Sequence, residues 1–128
     1  KNAKIPSAKD SILFLWATAP KIKEAFEVMD SWGFEYKTHA IWDKEIIGMG
    51  YWFRGQHELL LVGVKGSVEV PAEEKRVSSV IREKRIGHSR KPDIVYDLIE
   101  DWYPNGKYIE LFARKKRDNW ISWGNEIE

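Results

Sequence analysis

The sequence predicts an α/β fold built on a parallel sheet, and three observations carry that prediction. The run Ser11-Ile-Leu-Phe-Leu-Trp-Ala-Thr18 is short and continuously apolar, the pattern of a strand covered on both faces. Ile22, Ala25, Phe26 and Met29 follow at helical spacing, and then comes Tyr36-Lys-Thr-His-Ala-Ile-Trp42, rich in aromatic and β-branched residues. Strand, helix and strand joined by short connections make a βαβ unit, whose two strands are expected to lie parallel. The chain has 128 residues, enough for one real core and too few for two ordinary domains.

Each element has its own signals. Residues 1–10 are polar and linker-like. Pro20 suits the first turn of the first helix, where a missing N–H costs nothing, and Gly33 supplies the stop. After the second strand, residues 43–56 hold Gly48, Gly50 and Gly55 around Tyr51, Trp52, Phe53 and Arg54, and read as a loop. His57-Glu-Leu-Leu-Leu-Val-Gly-Val64 is a third strand, closed by Lys65-Gly-Ser67. A polar stretch leads to a short strand near Val77–Ile81. Pro92 opens a second helix with Ile94, Val95, Leu98, Ile99 and Trp102 on its apolar face. Pro104-Asn-Gly106 ends it, and Tyr108-Ile-Glu-Leu-Phe-Ala113 is the final strand. The tail beyond it is given no element.

Composition removes several classes of function. With 21 Lys+Arg against 20 Asp+Glu the net charge is +1, so nucleic-acid binding would need a local patch. The absence of cysteine excludes disulfides, a thiolate zinc site and a cysteine nucleophile. No apolar run approaches the roughly 18 to 20 residues that cross a bilayer, and no signal-peptide stretch opens the chain, so neither a membrane nor secretion is expected. His39, His57 and His88 lie too far apart in sequence to suggest a metal site, and Glu73-Glu-Lys75 reads as a solvated loop. Neither a Gly-x-Ser-x-Gly elbow nor a phosphate-cradling Gly-x-x-x-x-Gly-Lys occurs.

Three features remain open. Seven tryptophans serve either a Trp-rich core or stacking surfaces. The loop Gly48-Met-Gly-Tyr-Trp-Phe-Arg-Gly55 is either a stacking surface for an exposed base or a connector whose aromatics fold back on the core. From Lys75 to Lys91 there are seven basic residues and one acid, a local charge of +6 that can hold phosphates or simply form a solvated face. Arg114-Lys-Lys-Arg117 is a second basic run.

Taken in order, several segments resemble one family, the N(6)-adenine methyltransferases. It includes the catalytic subunit of the messenger-RNA adenosine methyltransferase and bacterial and phage DNA adenine methyltransferases. The matching segments are Leu13-Phe-Leu-Trp-Ala-Thr18, Trp32-Gly-Phe34, Ile41-Trp42, Gly50-Tyr-Trp52 and His57-Glu58. They continue with Leu61-Val-Gly-Val-Lys-Gly66, Ser89-Arg-Lys-Pro-Asp93, Ile109-Glu-Leu-Phe-Ala-Arg114 and Asn119-Trp…Trp123-Gly-Asn125. The resemblance implies a Rossmann-like fold and methyl transfer from S-adenosylmethionine to the exocyclic amine of adenine. It implies that Lys91 meets the methionine end of the cofactor, and that Arg114, Asn125 and Glu126 meet its ribose and nearby groups. A carboxylate wants a cation and ribose hydroxyls want polar partners, so the residue types agree. Gly50, Tyr51, Trp52, Arg54 and His57 are the candidates for a substrate-facing loop.

One departure stands out. The family's Asp-Pro-Pro-Trp signature is absent, and the chain has no Pro-Pro dipeptide. In the family that acidic residue accepts from the target amine and the aromatic stacks on the flipped base. The resemblance therefore implies the C-terminal part of a methyltransferase domain, residues 1–128, incomplete on its N-terminal side and inactive alone. The alternative is a non-catalytic relative that binds nucleic acid or a partner chain. A sheet lacking its leading strands would leave an open edge, which implies a homodimer or a second chain pairing it. The compact form of the segments suggests DNA rather than RNA as substrate. The compartment would be the cytoplasm for a bacterial or phage-like protein and the nucleus for a eukaryotic one.

Overall fold

The computed structural model describes residues 10–84, 91–103, 108–111 and 120–123. The first apolar run forms β1 (Ser11–Ala17), and every one of its residues is buried. A single 3-10 turn carrying Pro20 leads into α1 (Ile22–Ser31). Gly33, at φ 82°, ends that helix. The Gly33 amide donates to the Asp30 carbonyl and the Phe34 amide to that of Met29, so the glycine turn satisfies two orphan carbonyls. The sheet continues with β2 (Glu35–Asp43), β3 (His57–Lys65) and the short β4 (Val80–Arg82). Then come α2 (Asp93–Trp102), β5 (Tyr108–Leu111) and β6 (Trp120–Trp123). Pro92 precedes α2, as its sequence position predicts.

The six strands lie in the order β4-β2-β3-β1-β5-β6. This corrects the parallel sheet expected from the sequence. β1 and β2 do run the same way, but they are not neighbours: β3 lies between them and pairs antiparallel with both. The remaining pairs, β1–β5, β5–β6 and β2–β4, are parallel. The cause is the connection: β2 returns directly as β3 through residues 44–56, and a hairpin return can only pair antiparallel. Among the described residues five strands therefore share one direction and β3 opposes them.

The alternation of β1 divides the core in two. Leu13, Leu15 and Ala17 pack with Ala25 and Met29 of α1, with Phe34, and with Leu59 and Leu61 of β3. Ile12, Phe14 and Trp16 pack on the other face with Val95, Tyr96 and Ile99 of α2, with Trp42 and with Leu60. One helix on each face explains why β1 is apolar without interruption. Gly63 is set by this packing: a Cβ there would lie 2.9 Å from the Met29 sulfur and 3.1 Å from the Phe34 Cβ. At the edge where β1 starts, the Asp10 carboxylate accepts from the Ser67 amide at 2.8 Å and ties the strand to the turn after β3. Among the described residues no helix is long and apolar enough to cross a membrane.

The tryptophans divide between both readings of the sequence. Trp16 and Trp42 are core residues, in edge-to-face contact at 5.9 Å, and the Trp42 indole N–H donates to the Glu83 carbonyl at 2.7 Å. Trp102 is half-buried and donates to the Lys75 carbonyl. Trp52 is 96% exposed.

Candidate functional site

The topology places a site before any side chain is considered. The chain moves from β1 to β2, β3 and β4 on one side, then returns through α2 to β5 and β6 on the other. Strand order thus reverses between β1 and β5. In open α/β sheets the crevice at the carboxyl ends of the strands beside such a reversal is where ligands bind. Trp16, at the carboxyl end of β1, stands at that crevice.

A buried charge cluster occupies this edge. Glu58 enters through β3, the reversed strand, whose amino end lies among the carboxyl ends of the others. It pairs in register with Trp42. The Lys91 ammonium donates to Glu58 Oε1 at 2.6 Å and Lys44 to Oε2 at 3.3 Å. All three side chains are largely buried, Lys91 at 8% exposure and Glu58 at 10%. The Lys91 ammonium also lies 5.1 Å from the Trp16 ring centroid and 6.0 Å from that of Trp42, so the aromatic faces stabilise the cation further. Burial pushes the Glu58 carboxyl up, but Lys91 and then Lys44 outweigh it and hold the group below the usual glutamate range. One carboxylate between two ammoniums leaves the cluster with one unit of positive charge.

A hollow beside this cluster bears on the cofactor expected from the sequence. Trp42, Glu83, Lys84, Lys91, Pro92, Asp93 and Ile94 line a hollow of about 90 Å³ at the start of α2. Three water molecules at roughly 30 Å³ each would fill such a volume, which is the scale of an amino-acid head group. The lining carries both signs, Lys84 and Lys91 against Glu83 and Asp93, which with the amino end of α2 suits the paired carboxylate and ammonium of such a head group. The residues present therefore fit the methionine end of S-adenosylmethionine. Arg114, Asn125 and Glu126, expected at its ribose, lie outside the described residues.

The aromatic loop rises from the same place. Residues 44–56 leave β2 after Asp43 and re-enter at His57, which pairs in register with Asp43 and starts β3 one residue before Glu58. The neck is closed by backbone bonds from Lys44 N to Gln56 O at 2.9 Å and from Gly48 N to Gly55 O at 2.7 Å. Asp43 accepts from the Gln56 side chain and the Glu45 amide and pairs with Arg82 at 3.2 Å. Those bonds hold its carboxyl below the usual range, the Gln56 bond foremost. Above the neck, Tyr51, Trp52 and Phe53 are fully exposed, with Met49 beside them. The structure thus brings Gly50, Tyr51, Trp52 and Arg54 onto one loop with His57 at its base, and does not fold the three aromatics back on the core.

The basic stretch is largely fastened to the protein. Lys75 pairs with Asp101 at 3.7 Å, Arg76 donates to the Pro71 carbonyl, Arg82 pairs with Asp43 and Lys91 with Glu58. Arg85, Arg90 and the run from Arg114 to Arg117 lie outside the described residues. No group of three His, Asp or Glu among the described residues could hold a metal ion.

Glu58 was not among the candidates. Its signal in the sequence was a lone acid at the head of an apolar strand, but its partners stand 14 and 33 residues away.

Comparison with known proteins bears on this geometry. The MT-A70 family model matches residues 3–126. The type II methyltransferase M.MunI of Mycoplasma sp is 40% identical over 126 residues, covering 96% of this chain and 54% of that protein. The human N(6)-adenosine-methyltransferase catalytic subunit METTL3 is 34% identical over 129 residues, covering 93% of this chain and 22% of that protein. An MT-A70-like N(6)-adenosine-methyltransferase of Arabidopsis thaliana is 31% identical over 140 residues, covering 99% and 20%. The chain spans about half the length of the first and about a fifth of the other two.

Proposed function

The chain belongs to the MT-A70 family, and from that premise we propose that it is the cofactor- and substrate-binding part of an adenine N(6)-methyltransferase acting on DNA. The observation that carries the reading is the Lys44–Glu58–Lys91 cluster at the carboxyl edge of a Rossmann-like sheet, directly beneath an exposed aromatic loop. When bound, S-adenosylmethionine supplies the methyl group. Lys91 holds its carboxylate, with Glu58 fixing the position of the ammonium and Trp16 and Trp42 walling it from water. Arg114, Asn125 and Glu126 are assigned to the nucleoside end.

The nucleophile is the substrate's own amine, so the protein's task is positioning and charge complementarity. Gly50, Tyr51, Trp52, Arg54 and His57 meet the nucleic acid. DNA is favoured over RNA because the matching segments follow one another compactly, without long inserted loops. A second reading is that the chain binds nucleic acid without methylating it.

The test is methyl transfer by the chain in its natural polypeptide context, with labelled S-adenosylmethionine and adenine-containing DNA duplexes or RNA oligonucleotides. N(6)-methyladenine in DNA supports the proposal. Product in RNA alone replaces the substrate, and salt-sensitive binding without product establishes the second reading.

A further inference from the structure

We propose that the loop between β2 and β3 is a wedge for duplex DNA: its aromatic tip enters the base stack and fills the space left by the extruded adenine. The inference rests on the function proposed above and adds a substrate form, the duplex, and a role for Tyr51, Trp52 and Phe53.

The argument begins with exposure. Three consecutive large aromatics are exposed at 106%, 96% and 92%. An apolar patch of that kind on a protein surface marks contact with something else. The loop is also built to hold the patch out. A Cβ on Gly50 would lie 2.0 Å from the Phe53 carbonyl oxygen, so the turn across 50–53 is too tight for any side chain at its first position. Gly48 is similarly confined, with its Cβ site 2.9 Å from the Gly55 carbonyl oxygen. The Gly55 amide donates to the Met49 carbonyl at 3.1 Å and closes the turn from below. A tip ordered in advance loses little conformational freedom when it inserts.

Placement is the second part. Lys44, the loop's first residue, donates to Glu58, so the wedge is anchored on the charge cluster. Trp52 is four residues from Gln56 at the neck. Four peptide units reach at most about 14 Å. One turn of the duplex is roughly 34 Å long, so a tip held within that reach stays within half a turn of the site.

Chemistry is the third. The exocyclic amine of adenine is paired and stacked inside a duplex, and an enzyme that modifies it must take the base out. The hole costs stacking energy unless another flat group replaces the base, and aromatic side chains do this without regard to sequence. Arg54 adjoins the aromatics and provides a cation for the flanking phosphates.

The experiment uses the chain in its natural polypeptide context, with Trp52→Ala, Trp52→Phe and the triple alanine variant of 51–53. The substrates are one adenine site as a matched duplex, as a duplex mismatched at that adenine, and as a single strand. A second set carries 2-aminopurine at the target position, whose fluorescence rises on unstacking whether or not methyl transfer follows. The expected result is that Trp52→Ala lowers the matched-duplex rate relative to the single-strand rate at least tenfold. The mismatch restores most of that loss, Trp52→Phe retains most of the ratio, and the 2-aminopurine signal falls in parallel. Equal loss on all three substrates, or an unchanged 2-aminopurine signal, overturns the wedge. A change of oligomeric state by light scattering with no substrate dependence assigns the patch to a protein partner and also overturns it. Absence of methyl transfer by the unmodified protein counts against the proposed function, while the fluorescence still decides the wedge.

Discussion

Replacing Glu58 by alanine isolates the charge cluster. The substitution leaves the Lys91 ammonium, whose side chain is 8% exposed, without its partner at 2.6 Å. At an effective dielectric of 20 that contact is worth about 6 kcal/mol in gross attraction, and the Lys44 contact at 3.3 Å about 5. Desolvation of the ions offsets most of this, so the gross figures are not the expected loss. Removing one member of a buried pair costs about 3–5 kcal/mol, chiefly because the other charge is stranded. The faces of Trp16 and Trp42 remain and recover on the order of 1 kcal/mol. The expected loss is therefore about 3 kcal/mol. With a urea m-value of about 2 kcal/mol/M, the unfolding midpoint should fall by about 1.5 M with m unchanged. Lys91→Met should cost less, since Lys44 stays beside Glu58, and Glu58→Gln should fall between the two. A midpoint within about 0.25 M of the parent for Glu58→Ala would refute the reasoning, and so would a larger loss for Lys91→Met than for Glu58→Ala.

Acid should weaken the fold through the same carboxylate. Its folded-state pKa is depressed, so its stabilisation is complete above the ordinary glutamate range near pH 4 to 5 and is lost as pH falls through the folded value. Asp43 acts in the same sense, and Glu58→Gln should flatten the urea midpoint against pH between about 3 and 7. Gly63→Ala places a methyl against the Met29 sulfur and should cost about 1–3 kcal/mol by urea unfolding. Combined with Met29→Ala, which opens space at that spot, the loss should be smaller than the sum of the two. Asn125→Ala in the natural polypeptide should weaken S-adenosylmethionine binding tenfold or more, about 1.4 kcal/mol by calorimetry, and an unchanged affinity removes Asn125 from the site.

Local physics made the elements legible. The apolar run of β1, the helical spacing of α1 and the stop at Gly33 are each decided within a few residues, and the structure follows them closely. The direction of β3 is not carried by alternation or propensity, which are the same whichever way a strand runs; its signal is the helix-free connection of residues 44–56, which returns the chain as a hairpin. Tyr96 of α2 is buried although it is absent from the expected apolar face, while Ile94 on that face is half-exposed. β6, Trp120–Trp123, follows a long charged stretch and its Trp-Ile-Ser-Trp sequence has neither an apolar run like β5 nor a clean alternation. In the site, the aromatic loop stood out from its composition alone. The Glu58 cluster did not, since it is assembled from three chain segments that meet only in the folded sheet.

The reversal of β3 also gives the molecule two unlike rims. One gathers Trp16, Trp42, Glu58 and Lys91 from four separate segments, so a length change in any crossover that ends there would misalign the others. The opposite rim carries the turn through Gly33 and the turn after Lys65, tied to Asp10. A builder who wished to tag, lengthen or fuse this protein would work at that second rim. Reshaping the closed-neck loop on the first rim would exchange its tip alone and leave the charge cluster beneath it in register.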